Sequence, residues 1–418
     1  MSGALAQRRA AGVCVDSRVH GAGGFSLVEL MIALVLGLLV AEGIYILFAA
    51  AGKVNTTQAA LSRLQENGRI AMSLIADDLR SAGLLACGSK VSPLVFTDAL
   101  PAHIAGQPAQ ARAPADLAGG VPYPLDRGIF VGGSRCAAKS CSPVVAGVPG
   151  AGLAAGDKLP GTDVLSVRYL RGDGLAAGGA SQVCDTDGQI TALNLRRTPG
   201  DAVLDGLKSA HLALLAGCTQ AQIFPVSLQG DAVLPVVGSL GAPKCSVADA
   251  HTRLFDLDAQ LQTSTWYLQL TADDKVRGRK IAVLMRRING VANEVVQGVE
   301  RLDLRYSLTD AAGNAHWLDA DALSRHVSAD GSLLQCGPAG AEQPCSWKDV
   351  DAVEISLLVN TVEDLPAEAA ADAWDYRYSI DGDKVLRPAA AMPVTGLPSG
   401  RMLRREFRTV VALRGLAA

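Results

Sequence analysis

Three sets of residues in this sequence carry charged or reactive side chains in a telling pattern. The first is Glu29, which interrupts the apolar run that follows Gly23, Gly24 and Phe25. A carboxylate set in hydrocarbon is costly unless it finds a partner or reaches an interface, so its place there asks for a use. The second is the cysteines. Nine are present, and Cys14 stands apart in the polar opening segment. The other eight are Cys87, Cys136, Cys141, Cys184, Cys218, Cys245, Cys336 and Cys345. An even number in a loop-rich region reads as a disulfide framework made in an oxidising compartment. Proximity favours Cys136–Cys141 and Cys336–Cys345 as local pairs. The remaining connectivity stays open, as does the alternative of buried free thiols.

The third set offers little chemistry. Gly150-Ala151-Gly152-Leu153-Ala154-Ala155 has the loose G-x-G-x-x-A form, but no clear strand precedes it, so a phosphate cradle is not expected. Asp185-Thr186-Asp187-Gly188 and Asp381-Gly382-Asp383 begin like calcium loops and lack the spaced continuation and terminal Glu, so turns are expected. His316 and His326 share a polar segment with Asp319 and Asp321 and read as solvated loop residues. No C-x2-C pair supports a metal site, and no Cys/His spacing supports a nucleophile. The expectation is a protein without catalytic residues, cofactor or metal.

The elements that position Glu29 are clear. Residues 1–24 are polar and small, with Arg8, Arg9 and Arg18, and an apolar segment from Phe25 to Ala51 follows. That segment is long enough to cross a bilayer, and the basic residues before it predict a cytoplasmic amino end. Its unbroken core, Leu30 to Ala41, also has the length of a secretory signal core, and Ala49, Ala50 and Ala51 could then form the cut site. Glu42 lies roughly 25 Å along the helix from Phe25, near the far edge of a hydrocarbon core about 30 Å thick, and reads as an interfacial acid.

No proline occurs between Phe25 and Ser92, and Leu61, Leu64, Gly68, Ala71, Ile75 and Leu79 recur at helical spacing. One helix from residue 25 to about 82, roughly 85 Å long, is therefore predicted, with an apolar stripe in its second half for a core. It ends at Ser81-Ala82-Gly83.

Beyond it, composition sets the class. The 418 residues are 49% hydrophobic and only 4% aromatic, with 44 Gly and 19 Pro, which suits short strands and loops. Strands are predicted at 128–131, 163–170, 222–228, 265–271, 280–286, 302–307, 353–359 and 407–413. A hairpin with a charged turn, Asp273 to Arg279, joins the fourth and fifth. Stretches 99–122, 144–161 and 388–399 read as exposed loops. The head, 84–418, is β-rich, and lobes near 84–250 and 251–418 are one reading of it. A formal net charge of −3 with no basic patch gives no reason to expect nucleic acid.

The junction Gly24-Phe25-Ser26-Leu27-Val28-Glu29 resembles the prepilin peptidase site of type IV pilins and pseudopilins: a Gly followed by Phe, with Glu at the fifth mature position. The resemblance implies cleavage between Gly24 and Phe25 on the cytoplasmic side, with methylation of the new amino terminus. Glu29 would then meet the amino terminus of a neighbouring subunit and set its stagger. The competing reading is that Glu29 reaches the cytoplasmic headgroups. Removing the 24-residue leader, with its three Arg and one Asp, leaves 394 residues of net charge −5.

Further segments are similar to the PilW family of minor pilins. They are Arg80-Ser81-Ala82-Gly83 running into Ala86-Cys87-Gly88, Gly161-Thr162-Asp163-Val164-Leu165 with Arg168-Tyr169-Leu170, and Gly217-Cys218 before Ala221-Gln222-Ile223-Phe224. Gln297-Gly298-Val299-Glu300 and Arg404-Arg405-Glu406-Phe407 complete the set. The resemblance implies an α+β, type IV pilin-like fold: a leader at 1–24, a membrane and amphipathic helix at 25–83, and an antiparallel β-rich head. It implies a single-pass inner-membrane protein with a periplasmic carboxyl end that later enters a pilus. Expected partners are other minor pilins, the major pilin, prepilin peptidase, the inner-membrane assembly platform and a tip adhesin. The expected role is priming of assembly at or near the pilus tip. Alternatives are a type II secretion pseudopilin, a pilus-borne adhesive module and an unprocessed membrane receptor.

Overall fold

The computed structural model describes residues 26–83, 94–95, 130–136, 140–145, 147–195, 207, 211–217, 221–230, 232–236, 243–245, 251–275, 278–337, 343–365, 378–379, 385–386 and 402–413. Residues 1–56 and 57–418 form two compact units, and the helix Leu27–Ser81 contributes to both. In the first unit every described residue is exposed, including Leu30, Leu36, Leu39 and Ile46. This stretch is long and apolar enough to cross a membrane. Nothing within the unit covers it, so its apolar surface requires hydrocarbon or other helices.

In the second unit the helix changes character. Leu64, Gly68, Ala71, Ile75 and Leu79 are buried, which is the stripe read from their spacing. The helix stops at Ser81, and Gly83 takes the left-handed φ of +66° that closes a helix end at little cost. The stripe packs into a core that includes Trp266, Leu268, Leu284, Leu302, Ile355 and Val411.

Two antiparallel sheets supply that core. One has six strands in the order Val291–Gln297, Lys280–Ile288, Leu261–Ala272, Val164–Leu170, Val131–Cys136 and Cys141–Ser142. The predicted hairpin lies in it, with Ala272 opposite Lys280 and Asp273 N–H bonded to Arg279 O at 2.9 Å. The other has four strands, Ala315–Leu318, Val299–Thr309, Val350–Asn360 and Arg404–Ala412. The six-stranded sheet draws strands from both sides of residue 250.

A third, eight-stranded sheet is built mainly from residues 175–256. Its order is Leu175–Ala176, Arg253–Asp256, His211–Ala216, Ala221–Gln229, Ala232–Pro235, Ile190–Asn194 and Gln182–Cys184, with Leu94–Val95 joining Ala221–Gln229 in parallel. Leu175, Ile190, Leu193, Leu215, Phe224 and Val226 form its own apolar core. The chain leaves the six-stranded sheet after Leu170 and re-enters at Leu261, and these two residues are paired neighbours. Its strands between 175 and 256 are thus an excursion from one hairpin-like junction, joined by Leu94–Val95 from earlier in the chain.

The architecture is α+β, as expected, with one correction to the strands. Of the strand predicted at 128–131, residues 128 and 129 lie outside the described residues, and Val131 opens a strand that continues to Cys136 through Gly132 and Gly133. The glycine pair reads as a turn in sequence. In the structure Gly133 makes room: a Cβ there would lie 1.8 Å from the Tyr306 hydroxyl. Glycine inside a strand often marks such a close approach.

Candidate functional site

The amino end of the helix is built for a charge. Ser26 caps it, its Oγ accepting the Glu29 N–H at 3.1 Å, so Glu29 stands in the first turn. Acids are favoured there by the helix dipole. Among the described residues the Glu29 carboxylate has no ion-pair partner, and its residue is exposed. Gly24 and Phe25, the predicted cleavage pair, lie outside the described residues.

The other end of the helix is fastened by a buried carboxylate that sequence reading passed over. Asp78 sits between Ile75 and Leu79 and is buried. Its Oδ2 accepts from Ser264 Oγ at 2.6 Å and from Trp266 Nε1 at 2.8 Å. Its Oδ1 accepts from Arg286 Nη2 at 2.5 Å, and that nitrogen also donates to the Tyr169 hydroxyl at 3.1 Å. Arg286 further lies over the Trp266 ring, 5.2 Å from its centroid. A buried ion is tolerable when paired and hydrogen-bonded in this way. The signal was available: three residues on from Ile75, Asp78 shares the apolar face, whereas Asp77 points outward and pairs with Arg80 at 2.8 Å.

A second lock ties the carboxyl-terminal strand into the same core. Arg404 grips Glu300 through two bonds, Nε to Oε2 at 2.7 Å and Nη2 to Oε1 at 3.0 Å, and Asn360 Nδ2 donates to Oε1 at 2.7 Å. The Arg404 and Glu300 side chains are 1% and 3% exposed, so this bidentate pair works at low dielectric. Both belong to sequence segments singled out above, Gln297 to Glu300 and Arg404 to Phe407. Gly298 precedes the pair at φ +83°, where a Cβ would meet Asn360 Oδ1 at 2.7 Å. On the same strand Phe407 presses onto the helix at Gly68, where a Cβ would lie 2.2 Å from its ring.

Further buried charges sit where the two sheets of this core meet. Asp163 accepts N–H bonds from Leu304 at 2.9 Å and Cys136 at 3.4 Å. Burial, then the nearby Asp303 charge, pushes its carboxyl up to about 7. Desolvation lowers the Lys158 ammonium to about 8, and it donates to Leu159 O at 3.2 Å and to Thr162.

Six cysteines form three disulfides: Cys136–Cys141 and Cys336–Cys345, the predicted local pairs, and Cys184–Cys245. Cys87 and Cys218 lie outside the described residues. The remaining candidates have local structural work. Asp185 accepts the Asp187 and Gln189 N–H groups and closes a turn. Asp319 caps the short helix Ala320–Ser324 and pairs with Arg135 at 3.1 Å. His316 meets Asp310 at 2.7 Å, and His326 meets Cys345 O at 2.6 Å. Asp381 and Asp383 lie outside the described residues. Among the described residues no group of three or more His, Cys, Asp or Glu could hold a metal. The arrangement can dock a helix, span a membrane and present a carboxylate.

Comparison with known proteins agrees. Residues 277–415 match the family described as type IV pilus-assembly protein W, and residues 20–41 match the prokaryotic N-terminal methylation motif. No curated protein and no solved structure matches the chain.

Proposed function

We propose, from the matches at 277–415 and 20–41, that the chain is a PilW-type minor pilin that joins other minor pilins to prime type IV pilus assembly and stays at or near the tip. The observation that carries this is one helix serving two ends. Its uncovered apolar half bears Glu29 in the first turn, inside the methylation-motif match, and its other half is locked by Asp78 into a head whose later strands match the pilus-assembly family.

Prepilin peptidase cuts between Gly24 and Phe25 in this reading, and the freed amino group of a neighbouring subunit pairs with Glu29. That pairing offsets the cost of a carboxylate in hydrocarbon and fixes axial stagger. The head faces the periplasm before assembly and the cell exterior after it. Partners are other minor pilins, the major pilin, the inner-membrane assembly platform and a tip adhesin. The tip position follows from bulk: a head with an extra eight-stranded sheet fits poorly in a stacked shaft.

Deleting the gene and restoring it as wild type or Glu29→Ala tests the role. Wild type restores surface pili, with epitope label confined to filament ends, and Glu29→Ala leaves the protein processed but piliation at least about ten-fold lower, the effect of a lost charge pair in a low-dielectric setting. Label spread along filaments would refute the tip position, and full piliation by Glu29→Ala would refute the docking role.

A further inference from the structure

We propose that the groove between the helix and the strand Arg404–Ala412 receives an extended acidic segment of a partner subunit. The inference rests on the pilin reading and names the surface and the partner's chemistry. The groove has a volume of about 840 Å³, with one wall running along the helix from Ser62 to Arg80 and the other along Arg405 to Thr409. Met72 and Phe407 give it an apolar lining. Four arginines line it, Arg69, Arg80, Arg405 and Arg408, against the single acid Glu66. Arg80 is engaged by Asp77, and Arg408 by Glu354. Arg69 and Arg405 have no ion-pair partner among the described residues, and both are exposed. Arg405 lies over the Phe407 ring, 5.8 Å from its centroid, which holds the guanidinium at the groove.

Shape and charge select the occupant. Ser62 to Arg80 spans about 27 Å of helix. A strip of that length suits about eight residues of an extended chain. Two guanidiniums on opposite walls, with no ion-pair partner among the described residues, suit carboxylates, each able to accept paired bonds. A nucleic acid would need a longer run of cations to follow its phosphates, and here Glu66 interrupts the wall while the whole chain carries a net −3.

The test uses the full chain in detergent and two labelled octapeptides, one alternating Glu and Val, the other Lys and Val, read by fluorescence anisotropy. The wild type should bind the Glu peptide at least about ten-fold tighter than the Lys peptide, and Arg69→Glu with Arg405→Glu should reverse that order. Arg171→Glu, at an exposed arginine outside the groove, should leave it unchanged. Equal binding of both peptides, or no reversal in the charge-swapped chain, overturns the proposal. So does a single-stranded oligonucleotide that displaces the Glu peptide through the same arginines, which would assign the groove to nucleic acid. The amino-terminal mass of each variant separates the two claims. Normal processing with no reversal rejects the groove alone, and an unprocessed wild type rejects the pilin reading.

Discussion

Beneath the helix, buried charges do the fastening: Asp78 with Arg286, Glu300 with Arg404, and Arg301 with Asp303 at 2.7 Å. The eight-stranded sheet has an apolar cluster of its own and the buried Asp256 at the end of one strand, and a long covalent tie, Cys184–Cys245 across 61 residues, holds its strands. The match to the pilus-assembly family covers the charged locks on the head side and stops short of the excursion at 175–256. The difference separates two tasks. A helix docked on sheets by hydrophobic contact alone can slide by a turn, whereas an oriented carboxylate with three donors accepts one register. The excursion leaves and rejoins the six-stranded sheet at Leu170 beside Leu261, and outside that junction it pairs with the short strand Leu94–Val95.

If that contrast is right, the largest loss comes from breaking a charged lock. Glu300→Ala leaves Arg404 buried and unpaired and should cost about 3–5 kcal/mol in urea unfolding. Asp78→Ala should cost a similar amount and also free the helix end, seen as faster amide exchange near Leu79. A loss under about 1 kcal/mol for both would erase the distinction.

Next comes the covalent tie. Replacing Cys184 and Cys245 together by Ser should cost about 4 kcal/mol on the loop-closure model. The loss should be confined to the excursion, with exchange at Asp78 and Trp266 unaltered. A global loss would show that the two regions fold as one.

The buried Asp163 sharpens the picture through pH. Its carboxyl is raised, so the folded state holds the proton more tightly than the unfolded chain does. Its contribution is therefore full below about 4 and is lost as pH rises toward about 7. Asp163→Asn should flatten this part of the stability–pH curve; an unchanged slope would place the titration elsewhere.

The smallest effect on helix docking should follow deletion of 172–259, closed by a two-residue Asn-Gly turn and combined with Cys87→Ser to keep the thiol count even. The near-ultraviolet signal of Trp266 should persist. Its loss would make the excursion part of the core.

Much of this was legible because its causes are local. An apolar run, a proline-free periodic stretch and a terminal glycine define the helix, and β-type runs between turn residues mark the middles of long strands, 265–271 within 261–272 and 353–359 within 350–360. Asp78 is hard to single out by residue type, because an acid beside Asp77 suits a solvated face, although helical spacing puts only the first outside. The strand 131–136 is legible only at Val131 because Gly132 and Gly133 signal a turn, and only the approach of Tyr306 explains them. Of the excursion only 222–228 is legible as a strand, within 221–229, whereas 190–194 and 211–216 are short or carry helix-forming Leu and Ala, and long-range pairing decides their state. The Cys184–Cys245 pairing is likewise set by the sheet, which sequence proximity cannot reveal.

The most direct measurement is the amino-terminal mass of the protein from cells with and without prepilin peptidase. The account predicts a methylated Phe25 terminus only when the enzyme is present. A terminus at Met1 in both, or one beyond Ala51, would contradict it and leave Glu29 without its partner.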